Sequence, residues 1–317
     1  MQSVHFAPRR LGHVNLWVGD LERSIRFFED ICGLELVRRE RDLRIAFHSN
    51  GNTHHDVGIV ETSRGHDRYG RNGLLQIPKD RGTDPGLNHL GWEMEHEQAL
   101  VAAYRHAQDA DGVRVLRAVD HIVAHSVYVA DPDGNAHEFY ADELQDWRSI
   151  FNLEQEDELT AAWTPQAQTA RASAMYPIDP VIRRVDPAPL HASHLAQVTL
   201  ATRRLEPMLA FFERVAGLTV RDRTSRPARS VVLAGTCRQT DLVLEEAAEG
   251  QPTGLRSVTF ALAEPVQATD AEAVRARTGA KLEARRDSDG AEVLALRSPD
   301  GLELRFREPT GPLTSWL

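Results

Sequence analysis

The stretch VNLWVGDLERSIRFFEDICGLELVRR, beginning at Val14, returns in altered form as VTLATRRLEPMLAFFERVAGLTVRDR, beginning at Val198. Phe27, Phe28, Gly33 and Leu34 recur as Phe211, Phe212, Gly217 and Leu218. Each copy reads as an alternating apolar strand, a polar break, an amphipathic helix and a new strand. A glycine just past the last helical turn supplies the stop signal. A second pair of segments also matches. PGLNHLGWEM from Pro85 and TGLRSVTFAL from Thr253 open similar units, which close with DPDGNAHEFY and SPDGLELRFRE. The repeat constrains the fold more than composition does, because each copy must bury its apolar face against another.

Four units therefore begin near residues 8, 86, 193 and 253. Each has a βαβββ plan, with period-2 alternation in the strands and a period near 3.6 in the helix. The expected fold class is α+β: four βαβββ modules paired into two homologous domains, each a curved mixed sheet around a central cavity. Residues 1–142 form the first domain and 193–317 the second. Residues 143–192 read as a short helix carrying Leu144, Trp147 and Phe151 on one face, then a linker ending in the proline-rich YPIDPVIRRVDPAPLH.

A net charge of −10 argues against a nucleic-acid backbone as partner, and no apolar run approaches a membrane span. The amino-terminal MQSVHFAPRR lacks the apolar core of a secretory signal, so a cytoplasmic location is expected. Cys32 and Cys237 are too few for a disulfide framework.

Histidine is the informative count. Twelve of fourteen lie within the first 140 residues. In LGHVNLWV, alternation projects His13, Asn15 and Trp17 to one face; in LNHLGWEM, His89 holds the corresponding point. Glu138 sits mid-strand at the end of the second unit, where a lone carboxylate would be costly to bury. A curved sheet built from two units brings two imidazoles and one carboxylate around one concave surface. Such a triad leaves adjacent metal positions open, as non-haem Fe(II) oxygenases require. The second half is an internal control. Gln197, Ser257 and Arg305 stand where His13, His89 and Glu138 stand in the first. The joint loss of all three is expected if they serve one metal, so the first half reads as the metal-binding, catalytic domain and the second as a degenerate copy.

LGHVNLWV, HHDVGIVE, PGLNHLGWEM and DHIVAHSVYVADPDGNAHEFY, with their spacing, resemble the vicinal oxygen chelate (glyoxalase, bleomycin resistance, dioxygenase) superfamily. Within it they resemble the type I extradiol ring-cleaving dioxygenases. The resemblance implies His13, His89 and Glu138 as metal ligands, His55 as the acid–base catalyst and Tyr128 as a catalytic hydrogen-bond donor. It also implies His121 as a substrate-binding residue, and Asn15, on the inward face of His13, is read as a further contact. The implied cofactor is Fe(II), with Mn(II) sharing the ligand set. The implied partners are a catechol-type aromatic diol and O2, and association of copies into a homo-oligomer. Better-known two-domain members carry their metal in the carboxy-terminal half, whereas these ligands survive only in the amino-terminal half.

Two other readings share the fold. A glyoxalase- or epimerase-like lyase or isomerase would add Glu61 as a fourth ligand. A non-catalytic aromatic-ligand-binding protein would need no metal. His54 is read as a solvated strand-end residue and His137 as structural, pointing away from the cavity.

Overall fold

The computed structural model of the chain describes residues 4–154, 160–166, 168–177, 180–225, 228–237, 240–287 and 290–309. The first unit contains β1 (Arg10–Val18), α1 (Leu21–Asp30), β2 (Glu35–Glu40), β3 (Ile45–Ser49) and β4 (Val57–Glu61). A small hairpin follows, β5 (Arg68–Tyr69) and β6 (Leu75–Ile77). The second unit contains β7 (Gly86–Glu93), α2 (Glu97–Asp109), β8 (Arg114–Asp120), β9 (Ala124–Ala130) and β10 (Ala136–Asp142). Helix α1 starts where the Asp20 carboxylate accepts from the Arg23 N–H, and it buries Leu21, Ile25, Phe27 and Phe28. Beyond its end Gly33 takes a left-handed φ of 74°.

The two units join into one sheet through the antiparallel pair β1·β7. Its order is β11-β8-β9-β10-β7-β1-β4-β3-β2, where β11 (Ala161–Ala162) is a short edge strand contributed by the 143–192 region. Within each unit the first and last strands run parallel, β1 with β4 and β7 with β10. The units are thus related by a pseudo-twofold through the centre of the sheet, where β1 and β7 lie.

The other half repeats the plan with β12 (Ala192–Thr202), α3 (Leu205–Phe211), β13 (Thr219–Thr224), β14 (Ser230–Ala234) and β15 (Leu242–Glu246). It continues with β16 (Gly254–Leu262), α4 (Ala268–Thr278), β17 (Glu283–Arg286), β18 (Glu292–Arg297) and β19 (Glu303–Arg307). These eight strands are ordered β13-β14-β15-β12-β16-β19-β18-β17. The expected mixed α+β architecture of two homologous halves is what the chain adopts. Helix α3 runs on into a five-residue π-helical turn, Phe212–Ala216, stopped by Gly217 at φ 77°.

The helix expected over Leu144–Phe151 is only a 3-10 turn, Trp147–Ser149. Trp147 and Phe151 still bury, against Val37, Val123 and Tyr140, so packing is retained although the helical hydrogen bonds are few. One apolar core joins the halves. Trp92 of the first meets Phe212 of the second, and backbone N–H groups of Val4, Phe6 and Ala7 donate to carbonyls of residues 214–216. Asp241, fully buried, accepts from the Leu11 and Gly235 N–H groups, which ties β1 to the second sheet.

Candidate metal centre

Register alone assembles the centre. On β1, His13 pairs with Gly91 of β7; on β10, Glu138 pairs with Gly91 and also with Tyr128 of β9. The adjacent row holds Asn15, His89 and Ala136. His13 and Glu138 therefore flank a residue that has no side chain. A Cβ on Gly91 would lie 2.1 Å from His13 Nε2, so glycine is what lets the imidazole cross β7 toward Glu138.

The three expected ligands come together. His13 Nε2 and His89 Nε2 each lie 2.9 Å from Glu138 Oε2. All three side chains are buried. His89 Nδ1 contacts Asn88 Oδ1 at 2.8 Å, an acceptor, so Nδ1 carries the proton and the Nε2 lone pair faces Glu138. Burial, outweighing the pull of the Glu138 carboxylate, lowers the His89 pKa to about 4, so the ring is neutral at pH 7. For Glu138, burial alone would raise the pKa. The neighbouring His13 and His89 outweigh it and hold the carboxyl well below its ordinary range. A neutral imidazole lone pair and an ionised carboxylate at 2.9 Å repel unless a cation lies between them. The donor set fits a divalent metal.

The other expected residues ring this point. His55 is buried, with its ring centroid 4.1 Å from that of His13, and neither of its nitrogens has a hydrogen-bond partner. Burial, then the neighbouring His13 and His54, push its pKa well below the usual value. Tyr128 Oη lies 3.2 Å from His121 Nε2, which is itself 3.6 Å from Glu138 Oε1. Burial and the Glu138 charge raise the Tyr128 pKa well above its ordinary value, so it holds its proton. Asn15 Nδ2 lies 2.8 Å from His89 Nε2, and Gly58 opposite leaves room for the Asn15 amide. Asn15, His55, His89, His121, Tyr128 and Glu138 line one cavity of about 280 Å³, with Trp17, Phe47 and Phe151 among its apolar walls.

Several residues depart from the sequence reading. His54 is buried rather than solvated: its Nδ1 lies 3.3 Å from Asp142 Oδ1, and it lines the cavity beside His55. His13, His54 and His55 form a second group whose ligand atoms lie close enough to hold an ion. Tyr140 stacks on the His13 ring at 5.0 Å. Alternation from Glu138 through Tyr140 to Asp142 carries this pair onto the inner face, a signal present in the sequence. Glu61 is not brought to the triad. It pairs with Val18, five residues along β1 from His13, and its carboxylate is taken by Arg44, Arg64 and the Leu21 N–H. His137 points to the opposite face, against Asp131, Trp92 and Phe212.

Residues 10–139 match the model of the Glyoxalase/Bleomycin resistance protein/Dioxygenase superfamily. No curated protein matches the chain. Among solved structures, the fold is similar to the Mn(II)-bound glyoxalase from Novosphingobium aromaticivorans. That match has 15% identity and a TM-score of 0.65, covering 95% of this chain and 82% of that one. It is also similar to BphC, a halotolerant catechol dioxygenase, with 13% identity and a TM-score of 0.65 over 96% of this chain and 88% of that one. A third is the 2,3-dioxygenase LapB from Pseudomonas sp. KL28, with 14% identity and a TM-score of 0.63 over 98% and 93%. At these identities the likeness is one of fold. The match to that superfamily model falls within the amino-terminal half of the chain, the half that carries the triad.

Proposed function

We propose that the chain is an extradiol dioxygenase, opening the ring of a catechol-type aromatic diol with O2 at Fe(II) held by His13, His89 and Glu138. The observation that carries this is the convergence of two imidazole Nε2 atoms on one carboxylate oxygen, each at 2.9 Å, beside a cavity with apolar walls. Fe(II) in such a site supplies Lewis acidity toward the diol and electron transfer toward O2, and Mn(II) shares the ligand set.

The protein's own part is placement and proton traffic. His55, neutral and unpartnered on the cavity wall, is the group free to accept a proton from a diol hydroxyl. It can return that proton later to a product oxygen. Tyr128 keeps its proton and is paired with His121, so the two form a hydrogen-bonding edge for substrate oxygens on the β9 side. Asn15 steadies His89 from the neighbouring row and faces the same space. The aromatic walls at Trp17, Phe47 and Phe151 favour a flat ring and exclude water.

Metal analysis together with oxygen uptake on catechol tests the reading. Iron or manganese with uptake supports it. Zinc or nickel without uptake points to a lyase or isomerase on the same fold, and absence of bound metal points to a binding protein. His55→Ala is expected to lower turnover about 100-fold or more while leaving the bound-metal content unchanged; unchanged turnover would remove His55 from the mechanism.

A further inference from the structure

The end of the cavity away from His13 carries charge that the metal centre does not use. Glu138, Tyr128 and Arg117 are register partners on β10, β9 and β8. Two strand spacings put the Arg117 backbone about 10 Å from that of Glu138. Its guanidinium sits over the Tyr128 ring, 4.4 Å from the centroid. Arg117 reaches this face because the β8 register slips by one residue at Leu116, so that Leu116 and Arg117 together answer Tyr128. Such a bulge re-aims side chains beside a site. Arg81, from the segment after β6, lines the same cavity. Both arginines are exposed at the mouth, and neither has a carboxylate in ion-pair contact among the described residues. Partial desolvation, and then the charge of Arg117, lower the Arg81 pKa; Asp80 opposes this, and Arg114 adds to it. Of the two acidic residues of the lining, Glu138 belongs to the triad and Glu40 to β2, the opposite edge of the sheet.

We propose that the substrate is an aromatic diol bearing a carboxylate on the side of the ring turned toward β8, and that Arg117 and Arg81 are its counter-charges. The diol end rests on the function proposed above; the anion end rests on these two arginines alone. A chain of net charge −10 repels anions at long range, so an anionic substrate needs a local positive mouth to enter. Once there, guanidinium–carboxylate hydrogen bonds orient it. The ring then lies between the metal triad and the Tyr128–Arg117 edge, with its substituent pointing outward.

The test compares 3,4-dihydroxyphenylacetate with 4-methylcatechol by oxygen uptake. In parallel, it compares the non-cleavable 4-hydroxyphenylacetate with 4-methylphenol by calorimetry on the metal-loaded protein. Two partly exposed charge pairs should favour the anionic member by about tenfold in kcat/KM and in affinity. The preference should shrink at 0.5 M salt, and Arg81→Met/Arg117→Met, checked for an unchanged melting curve, should bring the ratio close to unity. Equal or better handling of the neutral compounds overturns the proposal, as does a preference that survives the double substitution or a failure of both phenols to bind. Preferential binding of the anionic phenol without oxygen uptake upholds it and sinks the ring-cleavage reading instead.

Discussion

At the scale of single residues, the centre depends as much on what is missing from Gly91 as on the ligands themselves. Its neighbours on both sides, His13 and Glu138, reach across the space that a side chain would fill. Gly91→Ala is expected to displace the His13 ring and weaken metal affinity by about tenfold to 100-fold, comparable to losing an orienting partner. Metal titration monitors this, with circular dichroism confirming the fold. His13, His89 and Glu138 were legible because each type is unusual where it stands: a carboxylate mid-strand, imidazoles at matching positions, and all three absent from the sister copy. Gly91 was not legible, since glycine in a strand marks close approach without saying what approaches. His54 was misread because one residue after a turn tells little about burial. Its neighbours Asp142 and Phe151 come from strands and turns some 90 residues away in the chain and become adjacent only in the folded sheet.

At the scale of elements, β3 shows how a strand can be stable and acid-sensitive together. It carries His48, fully buried beside Phe28 of α1, with neither ring nitrogen hydrogen-bonded. Burial lowers its pKa from 6.5 to about 3. The unfolded chain binds a proton that the folded strand refuses, so this site leaves stability intact above pH 6.5 and removes it progressively as pH falls toward 3. The loss is on the order of 1.4 kcal/mol per pH unit within that window. His48→Phe should flatten that part of the profile, read as urea midpoints between pH 7 and 4; an unaltered slope would exclude His48 as its source. The strands and helices themselves were legible from periodicity. The 3-10 turn at Trp147–Ser149 and the π-helical turn after α3 were not, because both keep the apolar spacing of a helix while differing in hydrogen bonding. The small β5–β6 hairpin follows no repeat and has no counterpart among the described residues of the second half.

At the scale of the whole molecule, the three proposed ligands lie on β1, β7 and β10, which span both units of the first half. An ion held there links chain positions 13 and 138 and closes the seam between the units. Loading with Fe(II) or Mn(II) under anaerobic conditions is expected to raise the melting temperature, and chelation to lower it. Excess metal at about 100 times its dissociation constant corresponds to roughly 2.7 kcal/mol. Scanning calorimetry checks this, and no shift would mean that the ion does not bind the folded sheet preferentially.

The second half occupies the same register with a different chemistry. Arg305 pairs with Thr259 as Glu138 pairs with Gly91, and its guanidinium is bound by Asp287 and Glu303. Arg307 engages the same Asp287. Where one copy gathers two imidazoles and a carboxylate, the other has made a cation part of the polypeptide. Building a triad there would demand exchange of Gln197, Ser257 and Arg305, and would take from Asp287 one of its two arginine partners, leaving Arg307. A carboxylate in place of Arg305 would stand beside Asp287 and Glu303, so like charges oppose the return of a triad to the second half.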